Sequence, residues 1–180
     1  MEVFGHAFSG VLLAQLLEPQ EARKAPVWVW PALGAAAALV PDVDGISILG
    51  GADAFKAWHQ IYTHNVIAFA IAPPLIALAA RALTKRRFSY ASLLALFWLG
   101  MALHLIGDVI AQWPLRFLYP FSPVGWSFQL IPRDFSIGLA LILMTAGLAG
   151  YVDGVAPWRR LTAAFGLLAA SLYVTLGPGV

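Results

Sequence analysis

The 180 residues include no cysteine, which excludes disulfides, thiolate metal sites and thiol nucleophiles together. Charge is nearly as scarce: Asp, Glu, Lys and Arg make up 11% of the chain, against roughly a quarter in a soluble domain. The isoelectric point is about 9.2, yet the basic residues fall in short clusters beside apolar segments, as membrane topology determinants do. No nucleic-acid partner is expected. The chain also lacks a G-x-S-x-G elbow and a P-loop, and Ser9, Ser47 and Ser122 have no adjacent base. No internal repeat is present, so residues 1–180 read as one domain.

What the chain has instead is hydrocarbon. Hydrophobic residues are 61% of it and the mean hydropathy is +0.79, the composition of an integral membrane protein. Glu2 stands where a signal peptide would carry positive charge, and no small-x-small site follows Leu17. His6 is therefore expected to remain in the mature protein.

Six apolar segments are predicted. Residues 3–17 end at Glu18-Pro19; fifteen helical residues reach only ~22 Å, less than the ~30 Å hydrocarbon core, so this segment either spans among other helices or lies on the surface. The second runs from Val27 to Val40, and the third from Val66 to Leu83 with Pro73-Pro74 inside it. A kink is expected there, its freed carbonyls satisfied by neighbouring helices. Ser89 to Ile110 is long enough to span outright, and Phe135 to Val152 and Leu161 to Leu176 follow a connection rich in aromatics and proline. The fold class is thus all-α, a polytopic transmembrane bundle of about five to six spans.

Lys and Arg accumulate in cytoplasmic loops. Placing the loops at 18–26, 81–88 and 153–160 inside puts Arg23, Lys24, Arg81, Lys85, Arg86, Arg87, Arg159 and Arg160 there, and leaves Lys56, Arg116 and Arg133 outside. The loop from Asp42 to His64 then faces outward, as do His104, Asp108 and, if the first segment spans, His6. Charge alone gathers every histidine on one membrane face, with Trp58, Trp113 and Trp126 in the outer aromatic belt and Trp28 and Trp158 in the inner one.

His104-x-x-x-Asp108 is an i, i+4 pair, so both side chains share a helix face. An aspartate in an apolar helix costs a few kcal/mol on insertion scales; a helix-locking hydrogen bond explains it as well as a ligand role. Asp42-Val43-Asp44 follows Pro41, where turn chemistry is the plainer explanation. His59 and His64 stand about 140° apart on a regular helix, so they do not form a helical chelate; His64 is placed in the first turn of the third segment, with Thr63 near its cap. The conjunction outweighs the parts. His6, Asp42, Asp44, His59, His64, His104 and Asp108 supply up to seven ligands, whereas a catalytic zinc needs about three and an open position. Imidazole and carboxylate without sulfur suit Zn, Mn or Fe(II), as one to three ions.

At these residues the chain resembles a family of membrane-bound metal-dependent hydrolases of the bacterial and archaeal inner membrane, one of whose members is controlled by the SOS repressor. The shared pattern is Gly5-His6, Val40-Pro41-Asp42-Val43-Asp44, His59 to Asn65, and Gly100 to Asp108 followed by Tyr119-Pro120-Phe121. Gln60 and Ile61 stand where that family has Arg and Gly, Asn65 stands where it has Ser, and its Thr-Pro after the H-x-x-x-D aspartate is missing around Ala111 to Trp113. Through its grouping with zinc-dependent phospholipase C and P1-type nucleases, the resemblance implies a phosphoester substrate.

The expected function is a metal-dependent hydrolase of a phosphoester or phospholipid-like substrate in the inner membrane, multi-pass, with its site on the extracytoplasmic side. A bound metal lowers the pKa of a water toward ~7. Asp44 is the candidate base, with His64 beside it in the catalytic set, and a second metal, Arg116 or Arg133 stabilises the developing charge. Membrane lipid is the expected partner. The alternative is a transporter or metal-binding structural protein using the same cluster. Against transport, the inner halves of segments three to six offer few polar side chains beyond Ser89, Tyr90, Ser92 and Thr162.

Overall fold

The computed structural model describes residues 3–111, 114–130, 140–148, 164–166 and 168–169. Five helices carry the described N-terminal part: α1 (Val3–Leu16), α2 (Val29–Leu39), α3 (Ala52–Trp58), α4 (Val66–Leu83) and α5 (Tyr90–Ile110). A 3-10 segment, Pro41–Gly50, joins α2 to α3. Among the described residues there is no strand, only one isolated bridge between Leu115 and Trp126.

α5 is the axis of the bundle, packing against α1, α2 and α4. Its buried Leu93, Leu96 and Phe97 meet Ala14 of α1, Trp30 and Ala37 of α2, and Ala77 and Ala80 of α4. Small residues set the spacing: a Cβ on Gly34 would collide with the Gly10 backbone oxygen, and one on Gly100 would meet the Ala37 Cβ at 2.7 Å. The Trp30 indole donates to the Ala14 carbonyl at 2.8 Å, supplying one of the donors that the end of α1 lacks.

The third and fourth predicted segments match α4 and α5 almost residue for residue. At 18 and 21 residues they reach ~27 and ~32 Å, enough to cross a bilayer. A third span arises if α2 and the 3-10 segment, bent by 64° at Pro41, cross together; α1 is a shorter apolar helix. Among the described residues there are thus two to three candidate spans, against five to six predicted for the whole chain. The predicted segments five and six lie mostly outside the described residues, as do Trp113, Arg133, Trp158, Arg159 and Arg160. Ile67, Ile71, Leu75 and Leu78 form an exposed apolar stripe on α4, the face expected to meet lipid rather than water.

Pro73 and Pro74 sit inside one continuous helix. Proline at 73 removes the donor for the Phe69 carbonyl, and the Trp98 indole of α5 donates to that oxygen at 3.0 Å, which is the rescue by a neighbouring helix that the sequence leads one to expect. The start of α4 differs from expectation. Asn65, not Thr63, is its cap, accepting from the Ile67 and Ala68 amides at 3.0 and 2.9 Å; Thr63 donates instead to the Pro41 carbonyl. Serine, which the resembled pattern has at this position, is also a strong N-cap, and Asn65 fills the same capping role. Asn65→Ala is expected to cost about 1 kcal/mol, read as a lower thermal midpoint in detergent.

Candidate metal centre

The cluster is built where four segments meet. α1 contributes His6, the 3-10 segment contributes Asp42 and Asp44, the turn before α4 contributes His59 and His64, and the C-terminal half of α5 contributes His104 and Asp108. The turn is pinned by Thr63 on the Pro41 carbonyl and by the Gln60 amide on Asp44 Oδ2 at 3.0 Å. A connecting loop closes the end of α5, its Phe128, Gln129 and Leu130 amides donating to the Val109, Ala111 and Ile110 carbonyls.

His6, His64, His104 and Asp108 are all buried, where polar atoms call for partners; His6 Nδ1 has no hydrogen-bond partner among the described residues, and the others meet one another or the backbone. His104 Nδ1 lies 2.6 Å from the Ala38 carbonyl, an acceptor only, so Nδ1 carries the proton. His64 Nδ1 faces Asp44 Oδ2 at 3.4 Å and Thr63 Oγ1 at 3.1 Å, whose own hydrogen goes to Pro41; Nδ1 is the donor here too. With Nδ1 as the donor, the neutral form of each imidazole presents Nε2 as its lone-pair atom. Those two nitrogens face each other at 3.1 Å.

Carboxylate oxygens complete the convergence. Asp108 Oδ2 lies 3.2 Å from His104 Nε2 and 3.5 Å from His64 Nε2. Asp42 Oδ1 lies 3.6 and 3.8 Å from the same two atoms. Two imidazole nitrogens and two carboxylate oxygens therefore converge, an arrangement that a bound cation would stabilise. Ligand atoms ~2.0–2.1 Å from one tetrahedral ion stand roughly 3.3–3.4 Å apart, and the five separations here bracket that value. The donor set fits a first-row divalent metal of the zinc type.

The other three expected ligands stand behind these four. His6 Nε2 is 3.1 Å from Asp108 Oδ1, and its ring stacks on His104 at 3.7 Å between centroids. It belongs to a second triplet, His6, His104 and Asp108, alongside Asp42, His64 and His104. Both triplets share His104, so the two groups of side chains overlap at that residue.

Asp44 and His59 pair at 2.8 Å on the far side of His64. Burial alone would raise the Asp44 carboxyl, but hydrogen bonds from His59, His64 and Thr63 outweigh it and hold that carboxyl well below the usual carboxylate range. Burial alone would lower His59, and the hydrogen bond and charge of Asp44 outweigh it and raise its pKa above 6.5. Both Asp44 oxygens are thus engaged away from the convergence point. A carboxylate behind a ligating histidine fixes its tautomer, and losing one commonly costs 10–100-fold in metal affinity. Asp44→Asn is expected to weaken metal binding by that factor, measured by competition with a chromophoric chelator.

Gln60 was not singled out as a site residue by the sequence. It is buried, adopts φ 65°, and its side-chain amide reaches Asp108 Oδ2 at 3.5 Å. The only signal was its place between the two histidines, at the position where the related pattern has arginine. Arg116 lies exposed on the connecting loop.

No curated protein and no solved structure matches the chain. The model of the YdjM inner membrane protein family matches residues 1–178, nearly the entire length, and the chain belongs to that family of inner membrane proteins.

Proposed function

We propose that the chain is a membrane-embedded metal-dependent hydrolase acting on a phosphoester by metal-activated water, with its site at the extracytoplasmic interface of a multi-pass bundle. One observation carries the reading: the Nε2 atoms of His64 and His104 face each other at 3.1 Å while both Nδ1 atoms are held as donors. His64, His104 and Asp108 hold a single divalent ion, zinc being the best match to the donors. The ion, when bound, lowers the pKa of a coordinated water toward ~7 and offsets charge on the phosphoryl oxygens.

The protein groups divide the remaining work. His6 holds Asp108 through its outer oxygen, and Asp44 and His59 hold His64 in the tautomer that leaves Nε2 free. Asp42 has the longest separations in the cluster and the more exposed carboxylate, 19% against 3% for Asp108. It stands on the open side, where water and substrate enter, and it takes the proton that water releases. Hydrolysis then forms one P–O bond from the water oxygen and breaks the ester P–O bond, and the departing alkoxide takes up that proton.

The test combines elemental analysis with turnover on a panel of phosphoesters. Wild type is expected to carry close to one transition-metal ion per chain and to cleave at least one class. Asp42→Asn should retain most of the metal and lose at least ~100-fold in turnover, within the range for general acid–base groups. Metal-free wild type with a melting profile indifferent to chelation would end the proposal. Stoichiometric metal without turnover on any ester would favour a metal-binding structural role.

A further inference from the structure

α2 and α4 both pack on α5 but scarcely on each other, and the gap between them is an apolar groove of about 450 Å³. That volume falls within the ~300–1,000 Å³ of small-ligand sites. Leu33 and Ala36 form one wall, Ala79 and Leu83 the other, and Val40 and Val43 close one end. In sequence Val40 and Val43 bracket Asp42, the proposed proton acceptor on the open side of the cluster. Apart from the Thr84 side chain, the lining offers nothing that water could hydrogen-bond, so filling it with water would be unfavourable.

We propose that this groove seats an acyl chain of a lipid phosphoester whose phosphate lies at the His64, His104 and Asp108 cluster, making the substrate a phospholipid-class molecule that enters sideways from the bilayer. This rests on the hydrolase reading above. Three observations select a hydrocarbon chain over other occupants. The groove opens between α2 and α4 beside the exposed stripe of Ile71, Leu75 and Leu78, the surface an inner membrane protein turns to lipid. Two of its lining residues, Val40 and Val43, flank Pro41-Asp42 in the sequence, so the groove ends on the segment that carries the candidate site. Its walls are thinned by alanines at 36 and 79, both exposed, where larger aliphatic residues would close the slot at no cost to the buried core. The described part of the C-terminal region packs elsewhere, Gly147 standing against Phe8 and Val11 of α1.

The test uses full-length protein in nanodiscs with two phosphatidic acid probes, one carrying a diazirine along the acyl chain and one carrying it beside the phosphate. Cross-linked residues are mapped by mass spectrometry, and metal content is measured on the same samples. The chain probe is expected to label Leu33, Ala79 and Leu83 at least about tenfold over Ile71, Leu75 and Leu78, and the phosphate probe to label the turn around Val43 and Gln60. Ala36→Trp and Ala79→Trp fill the slot from opposite walls without entering packed core. Each should cut groove labelling at least about tenfold, the change that ~1.4 kcal/mol of lost binding produces, and leave metal content unchanged. Even labelling along the α4 stripe overturns the inference whatever the metal content. Groove labelling by the chain probe with the phosphate probe directed away from Val43 and Gln60 overturns it as well. Labelling as expected in a protein without metal keeps the lipid site and removes the hydrolase reading instead.

Discussion

Replacing His104 with alanine is expected to reduce bound metal from about one ion per chain to background and to abolish phosphoester turnover. No other residue has so many roles at the centre. It is common to both ligand triplets, its Nδ1 is fixed by the Ala38 carbonyl, and its ring is the platform for His6. Removing it takes away the imidazole nitrogen 3.2 Å from Asp108 Oδ2, and His6 cannot take its place because it is engaged with the other Asp108 oxygen. Because His104 is fully buried, the cavity could also weaken the fold. His64→Ala is the companion, removing the opposite Nε2 from the turn instead of the bundle axis. Both should lose metal, whereas His59→Ala, behind Asp44, should keep it with affinity reduced by the ~10–100-fold of a supporting residue. Equal losses in all three variants would mean that the turn collapses as a unit and that the division into ligating and supporting residues is wrong.

The bundle elements were legible because their signals are local. Apolar runs bounded by Asn65 and by Ser89 give α4 and α5 nearly to the residue, and proline chemistry alone announces that the Phe69 carbonyl needs an outside donor. The i, i+4 spacing of His104 and Asp108 likewise fixes a shared face. The passage from Asp42 to His64 was read as a loop, and it folds into a 3-10 segment and the seven-residue α3. α3 buries none of its residues, so it leaves no hydrophobic period to detect. The caps were ambiguous for a similar reason: Thr63 and Asn65 are both good caps, and only the position of the Pro41 carbonyl decides between them. That seven residues gather was readable from charge and order along the chain. Which nitrogen of each histidine faces the centre was not, since it depends on acceptors such as the Ala38 and Pro41 carbonyls that carry no sequence signature. The count of spans depends on segments five and six, which lie mostly outside the described residues; within the described residues α1 has 14 residues and α2 has 11 before the bend at Pro41, lengths that apolar composition alone does not resolve into spans.

Gly34→Ala is expected to lower stability by about 1–3 kcal/mol, the usual cost of overpacking, and to weaken metal binding although residue 34 touches no ligand. The new methyl would meet the Gly10 backbone oxygen and the Ala14 Cβ, and neither can rotate away as a long side chain would. α1 and α2 must therefore separate. Their separation matters to the centre because each helix carries one support for it: α1 brings His6 to Asp108, and α2 brings the Ala38 carbonyl to His104 Nδ1 and leads directly into Asp42. A shift of even half an ångström between them loosens two of the hydrogen bonds that set ligand orientation, whereas a direct ligand deletion removes the atom itself. The expected signature is graded: a lower thermal midpoint by circular dichroism in detergent, metal affinity reduced but measurable, and partial recovery of both when metal is in excess, since an ion that binds only the folded state stabilises it by mass action. Ala32→Leu, on the exposed side of α2, is the control and should change neither. A Gly34→Ala protein that melts lower yet binds metal as tightly as wild type would show that α1 and α2 hold the bundle but not the site, and would place His6 outside the functional centre.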